Sequence, residues 1–213
     1  MPTINRRDGI TYERKKMRGI ETIPDKALYK QTISRLATEG LWDCLIAVRM
    51  GCEMGLARID IVNAEIKNID RNHSRSLWIE ISKLVRRGGS KEKPIYKMRS
   101  RDIPINPSLY SVMMNYIDKD SKYILKRKKG EMTKPFGVQR INDLYKEGNI
   151  PWSTHKSRHY FKTELKDWMR SSYGLMDKEL IDSIMGHQPR DASEMYGVIK
   201  WETKQNLIDK VFS

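Results

Sequence analysis

The chain has 213 residues, with 41 Lys and Arg against 27 Asp and Glu, a net charge of +14 and a pI near 9.7. That length suits one domain of ordinary size, and 38% apolar residues are enough for a single sizeable core. No apolar run approaches the roughly 18 residues that span a bilayer, and the N-terminus MPTINRRDGITYERKK has no secretory apolar stretch, so the expectation is a cytoplasmic protein with no membrane partner.

Residues 1–24 are polar and basic, with Arg6, Arg7, Arg14, Lys15, Lys16 and Arg18 close together, and are expected to form a flexible arm that contacts a polyanion. Pro24-Asp25 opens a helical pattern in which Leu28, Ile33 and Leu36 fall near one face. Gly40 breaks it from a second, buried helix over 41–54, whose end Gly51 and Gly55 are expected to loosen. Cys44 and Cys52 lie eight apart on that helix, about 12 Å at 1.5 Å per residue, too far to pair with each other.

From Ser76 the period changes to two. Leu77 to Ser82 alternates as a strand, Gly88-Gly89 offers a turn, and Ile103-Pro104-Ile105 closes a returning strand, which predicts a hairpin or a small three-stranded sheet. The remainder reads as helices over 108–118, 138–146, 155–170, 177–185 and 203–211, with a basic turn at Lys126–Lys129. The fold class is therefore mainly α with a small antiparallel sheet (α+β), divided into the arm 1–24 and a domain 25–213.

Two patterns near the C-terminus carry chemistry. The first is His155-Lys156-Ser157-Arg158-His159; the second is Gly186-His187, followed nine residues later by Tyr196. A helix start would put His155 and Arg158 on one face, where Arg158 can fork two donors onto phosphate oxygens. His155 can donate a hydrogen bond or manage a phenol proton, and His187 can supply another donor. Tyr196, with an ordinary phenol pKa near 10, needs such cationic neighbours before it can attack a phosphodiester. Zinc is not expected, because no Cys or His partner stands at a structural-site interval and no H-E-x-x-H occurs.

These boxes resemble those of the tyrosine recombinases, which include phage and archaeal integrases and are related in mechanism to type IB topoisomerases. Trp152 to Phe161 is similar to the family's H-x-x-R-H box, and Ile184-Met185-Gly186-His187 with Tyr196 is similar to its last box. Met54 to Val62 is similar to the first box, G-L-R-x-x-E, with Asp60 in the acidic position. Laid without a gap, the family's first arginine falls on Ala57; the expectation is that a one-residue slip brings Arg58 into the role, the alternative being that the arginine has been replaced. The family's hairpin lysine falls on Lys83, with Lys91, Lys93 and Lys97 as alternatives.

The resemblance implies a tyrosine recombinase catalytic-domain fold and site-specific DNA breakage and rejoining through a 3′-phosphotyrosine, with no cofactor, metal or ATP. The catalytic set it implies is Tyr196, Arg158, His155, His187, Arg58 and Lys83, with Arg86, Arg87 and Lys97 joining the arm in binding double-stranded DNA. Dimers to tetramers are expected on DNA, and a prokaryotic, viral or mobile-element source. The family's core-binding domain is not seen, so the chain is expected to be either a catalytic-domain fragment or a minimal enzyme. A type IB topoisomerase-like enzyme and a non-catalytic DNA-binding relative are the alternatives.

Overall fold

The computed structural model describes residues 3–4, 11–12, 23–85, 95–118, 120–125, 137–174, 177–186 and 199–212. Within the N-terminal segment, β1 (Thr3–Ile4) and β2 (Thr11–Tyr12) pair antiparallel. The six basic residues of the expected arm lie outside the described residues.

Helix α1 (Lys26–Thr38) starts where Asp25 Oδ1 accepts from the Leu28 N–H at 2.7 Å, satisfying one of the donors every helix start leaves unpaired. Its buried face is Tyr29, Thr32 and Leu36, while Leu28 is 38% exposed. Of the face expected from the sequence, Leu36 is buried and Ile33 partly buried against the core, while Tyr29 takes the place of Leu28 and donates to the buried Glu53. Gly40 takes a left-handed φ of +70° and lets the chain reverse into α2 (Trp42–Glu53).

Helix α2 is buried on all sides from Cys44 to Glu53, as a central helix must be. Helix α3 (Arg58–Val62), α4 (Pro107–Tyr116), α5 (Gln139–Glu147) and α6 (Thr154–Tyr173) surround it together with α1. Its two buried charges neutralise each other, with Arg49 Nε 2.8 Å from Glu53 Oε1 and Arg49 Nη2 3.0 Å from Oε2. Tyr29 and Asn106 also donate to Glu53, so the carboxylate is fully engaged. Gly51 does not loosen this helix. A Cβ there would come within 2.8 Å of Ser157 Cβ, so the glycine allows α6 to approach closely. Cys44 and Cys52 are both buried and unbridged.

Strands β3 (Ser76–Val85) and β4 (Ile95–Pro104) form a two-stranded antiparallel ladder, in register from Ser76 opposite Pro104 to Val85 opposite Ile95. The Gly88-Gly89 turn and the Lys126–Lys129 turn lie outside the described residues. Beyond α6, α7 (Lys178–Met185) and α8 (Trp201–Phe212) close a second apolar cluster containing Phe161, Leu165, Ile184, Leu207 and Ile208. Both α7 and α8 touch β4, so the hairpin is tied to the C-terminal part of the fold.

Candidate active site

The turn before α6 positions the H-x-x-R-H box. Ser153 is extended (φ −82°, ψ 159°) and its carbonyl accepts from Lys156 and Ser157, which starts the helix at Thr154. Ser157 faces inward, where its Oγ is 2.8 Å from the Tyr145 hydroxyl and 2.9 Å from Trp152 Nε1. This three-way contact locks the rotation of the first turn. With Ser157 inside, His155 and His159 stand exposed and Arg158 half-buried. The two imidazoles meet edge to face with Nε2 atoms 3.0 Å apart, a spacing at which one ring donates to the other. Partial desolvation, then the charge of His155 and of nearby Lys156, Lys162 and Arg158, lowers the His159 pKa.

Arg158 reaches two other parts of the chain. Its Nη1 donates to the Gly55 carbonyl, 103 residues away, and its Nη2 donates to the Met185 carbonyl at 3.0 Å. Gly55 is the first residue of the G-L-A segment, and Met185 ends α7 immediately before Gly186, so one guanidinium from the second box ties the backbone of the first box to that of the last. A guanidinium carries five N–H donors on a planar fork and can bind carbonyls on one edge and an anion on another.

The first box folds as a short helix start. Asp60, buried in the first turn of α3, accepts from the Ala57 N–H at 3.0 Å through Oδ2. The same oxygen receives Arg101 Nη2 at 3.1 Å, in a pair whose side chains are only 7% and 3% exposed. Arg101 comes from β4 and escaped the sequence reading, since nothing local to R-S-R-D marks one arginine as the partner of a carboxylate 41 residues earlier. Arg58 is exposed at the start of α3 and donates to Asn142 Oδ1 on α5 at 3.1 Å.

Lys83 stands on β3 directly across from Lys97 on β4. Tyr196, His187, Arg86 and Arg87 lie outside the described residues, as do the alternatives Lys91 and Lys93. Of the other tyrosines near the box, Tyr160 is 2% exposed, and burial, then Glu164, raises its phenol pKa, whereas Tyr173 is 63% exposed.

No known family profile and no curated protein matches the sequence. Solved structures do. The XerA recombinase superposes with a TM-score of 0.54 at 15% identity, covering 89% of this chain and 65% of that one. The chain has the tyrosine recombinase catalytic fold. The integrase of mycobacterium phage Brujita gives a TM-score of 0.61 at 13% identity over 96% of this chain and 61% of that one. The Tn1549 transposon integrase, solved in complex with circular intermediate DNA, gives 0.54 at 17% identity over 86% and 63%. The chain thus spans less than two thirds of the length of each of these recombinase-fold neighbours. Among the described residues no helix is long and apolar enough to cross a membrane.

Proposed function

We propose that the chain is a tyrosine recombinase, breaking and rejoining DNA at specific sites through a 3′-phosphotyrosine. The observation that carries this reading is Arg158, bonded at once to the backbone of Gly55 and of Met185. Boxes far apart in sequence are centred on one cation, as a reaction that builds negative charge on a phosphate needs.

In this mechanism the Tyr196 oxygen bonds to phosphorus as the bond from phosphorus to the 5′-oxygen breaks. The phenol proton passes to His155, and Lys83 returns a proton to the leaving 5′-oxygen. Lys97, across the ladder from Lys83, is an alternative donor, as are Lys91 and Lys93. His187 adds a hydrogen bond to the phosphate. Attack by a 5′-hydroxyl reverses the step, and the ester conserves the bond energy, so ATP has no part. Double-stranded DNA is the substrate, which fits the net charge of +14.

The test is trapping on DNA followed by a denaturing gel and mapping of the modified phosphate. Wild type should give a covalent adduct at a defined sequence, and Tyr196→Phe should give none while binding DNA within a few-fold. Adduct persisting in Tyr196→Phe would move the nucleophile to another tyrosine, such as the exposed Tyr173. Sequence-independent relaxation of supercoiled DNA would assign a type IB topoisomerase-like enzyme, and binding without adduct a non-catalytic module. Cleavage should continue in excess EDTA, since cationic side chains carry the charge stabilisation.

A further inference from the structure

We propose that Arg101 supplies the second guanidinium to the scissile phosphate, in the place that Ala57 leaves vacant in the first box. The inference rests on the recombinase reading and names a residue that the boxes do not contain.

The placement is specific. Asp60 Oδ2 holds the Ala57 N–H at 3.0 Å and Arg101 Nη2 at 3.1 Å, so the Arg101 fork is one shared oxygen away from the Ala57 backbone. On its other side Arg101 lies against the last box. A Cβ built on Gly186 would fall 2.5 Å from Arg101 Cδ, 2.8 Å from Nε and 3.0 Å from Nη1. Gly186 directly follows Met185, whose carbonyl accepts from Arg158. The two guanidinium groups therefore engage the same two boxes: Arg158 at Gly55 and Met185, Arg101 at Asp60 and Gly186.

Chemistry gives this arrangement its meaning. The pentacovalent phosphate carries more negative charge than the ground state, and preorganised cations fixed before the reaction stabilise it best. A guanidinium on a helix start would sit at Ala57; one on β4 that lies against Gly186 reaches the carboxylate oxygen to which the Ala57 N–H donates. Asp60 makes its burial tolerable and fixes the plane of the fork. Arg58, exposed and bonded to Asn142, has neither constraint.

The experiment is single-turnover cleavage of a suicide duplex carrying the mapped site, made with either the natural phosphate or a neutral methylphosphonate at the scissile position. Arg101→Gln should slow cleavage of the phosphate by about 10²–10³-fold, the usual loss for one preorganised transition-state donor. On the methylphosphonate, which has one charge fewer to neutralise, the ratio of wild type to Arg101→Gln should shrink to a few-fold. Adding Ala57→Arg to Arg101→Gln should recover part of the rate on the phosphate. Equal losses on both substrates would reduce Arg101 to a structural partner of Asp60 and overturn the proposal. A phosphate-selective loss in Arg58→Ala and not in Arg101→Gln would overturn it in favour of Arg58. Circular dichroism checks folding, and if Arg101→Gln fails to fold, Arg101→Lys, which keeps a charge against Asp60, is measured in its place with the same expectation of a phosphate-selective loss. Wild type that forms no adduct overturns the recombinase reading, and this assignment falls with it. Adduct in wild type with no phosphate selectivity in the variants overturns only the assignment.

Discussion

Gly186 has two separate reasons to be glycine. Its φ of +65° is a left-handed conformation that costs an L side chain about 1–2 kcal/mol, and Arg101 occupies the space a Cβ would need. Gly174 offers a control within the same molecule. It ends α6 with φ +66°, yet a Cβ there would meet nothing within 4 Å. Gly174→Ala should therefore lower the urea midpoint through backbone strain alone and leave single-turnover cleavage unchanged. Gly186→Ala should lower the midpoint and also slow cleavage to an extent like Arg101→Gln, because it displaces that side chain. Equal cleavage by the two variants would separate Gly186 from the position of Arg101. His159 gives a second residue-level expectation. Its pKa is lowered in the folded chain, so folding favours the neutral ring; the associated stability is complete above the ordinary histidine pKa of about 6.5 and is lost as pH falls through the lower folded value. Urea midpoints should drop between pH 7.5 and 5, and the drop should be smaller in His159→Asn.

Elements set by local periodicity were legible before the structure. The helix read over 155–170 is Thr154–Tyr173, and the alternation from Ser76 is a strand that pairs with Ile95–Pro104. What could not be read is what fixes each element against its neighbours, because those contacts join residues distant in sequence. The first turn of α6 shows the difference. The spacing of His155 and Arg158 marked them as candidates on one face of a helix start, but Ser157 between them carries no such signal. Its hydroxyl shares a hydrogen bond with the Tyr145 hydroxyl and accepts from Trp152 while Gly51 lets it approach α2, and that contact decides which way Arg158 faces. The same holds for Arg101, whose partner Asp60 lies on another element. Ser157→Ala leaves a buried phenol without its hydrogen-bond partner and an indole N–H without its acceptor, which costs about 1–3 kcal/mol. Denaturant unfolding should show that loss, and adduct formation should fall with it as the turn loses its rotational lock.

At the scale of the whole molecule, α8 is the element on which assembly turns. An amphipathic terminal helix can dock its apolar stripe on a neighbouring copy or on its own core. It packs on its own core: Leu207, Ile208 and Val211 are buried against α6 and α7. Polar contacts hold it as well, with Arg75 gripping Asp209 through two bonds of 3.0 and 2.8 Å and Gln205 donating to the Ile105 carbonyl at 3.2 Å. With that stripe covered, the protein without DNA should scatter light as a monomer, and a stable tetramer would show that another surface drives association. Assembly is then expected to follow DNA binding, and binding to follow charge. Of the 41 basic residues, Arg6, Arg7, Arg14, Lys15, Lys16 and Arg18 are concentrated in the first 18 positions. Each phosphate that they neutralise releases counterion and adds about 0.9 to the slope of log affinity against log salt on duplex DNA. Removing residues 1–18 should therefore make that slope shallower by about 0.9 for every phosphate those side chains had neutralised, while the Arg158 and Arg101 bonds that hold the site together are untouched. A truncated protein with an unchanged slope would mean that this segment does not meet the phosphates, and that the remaining basic residues supply the whole of the attraction.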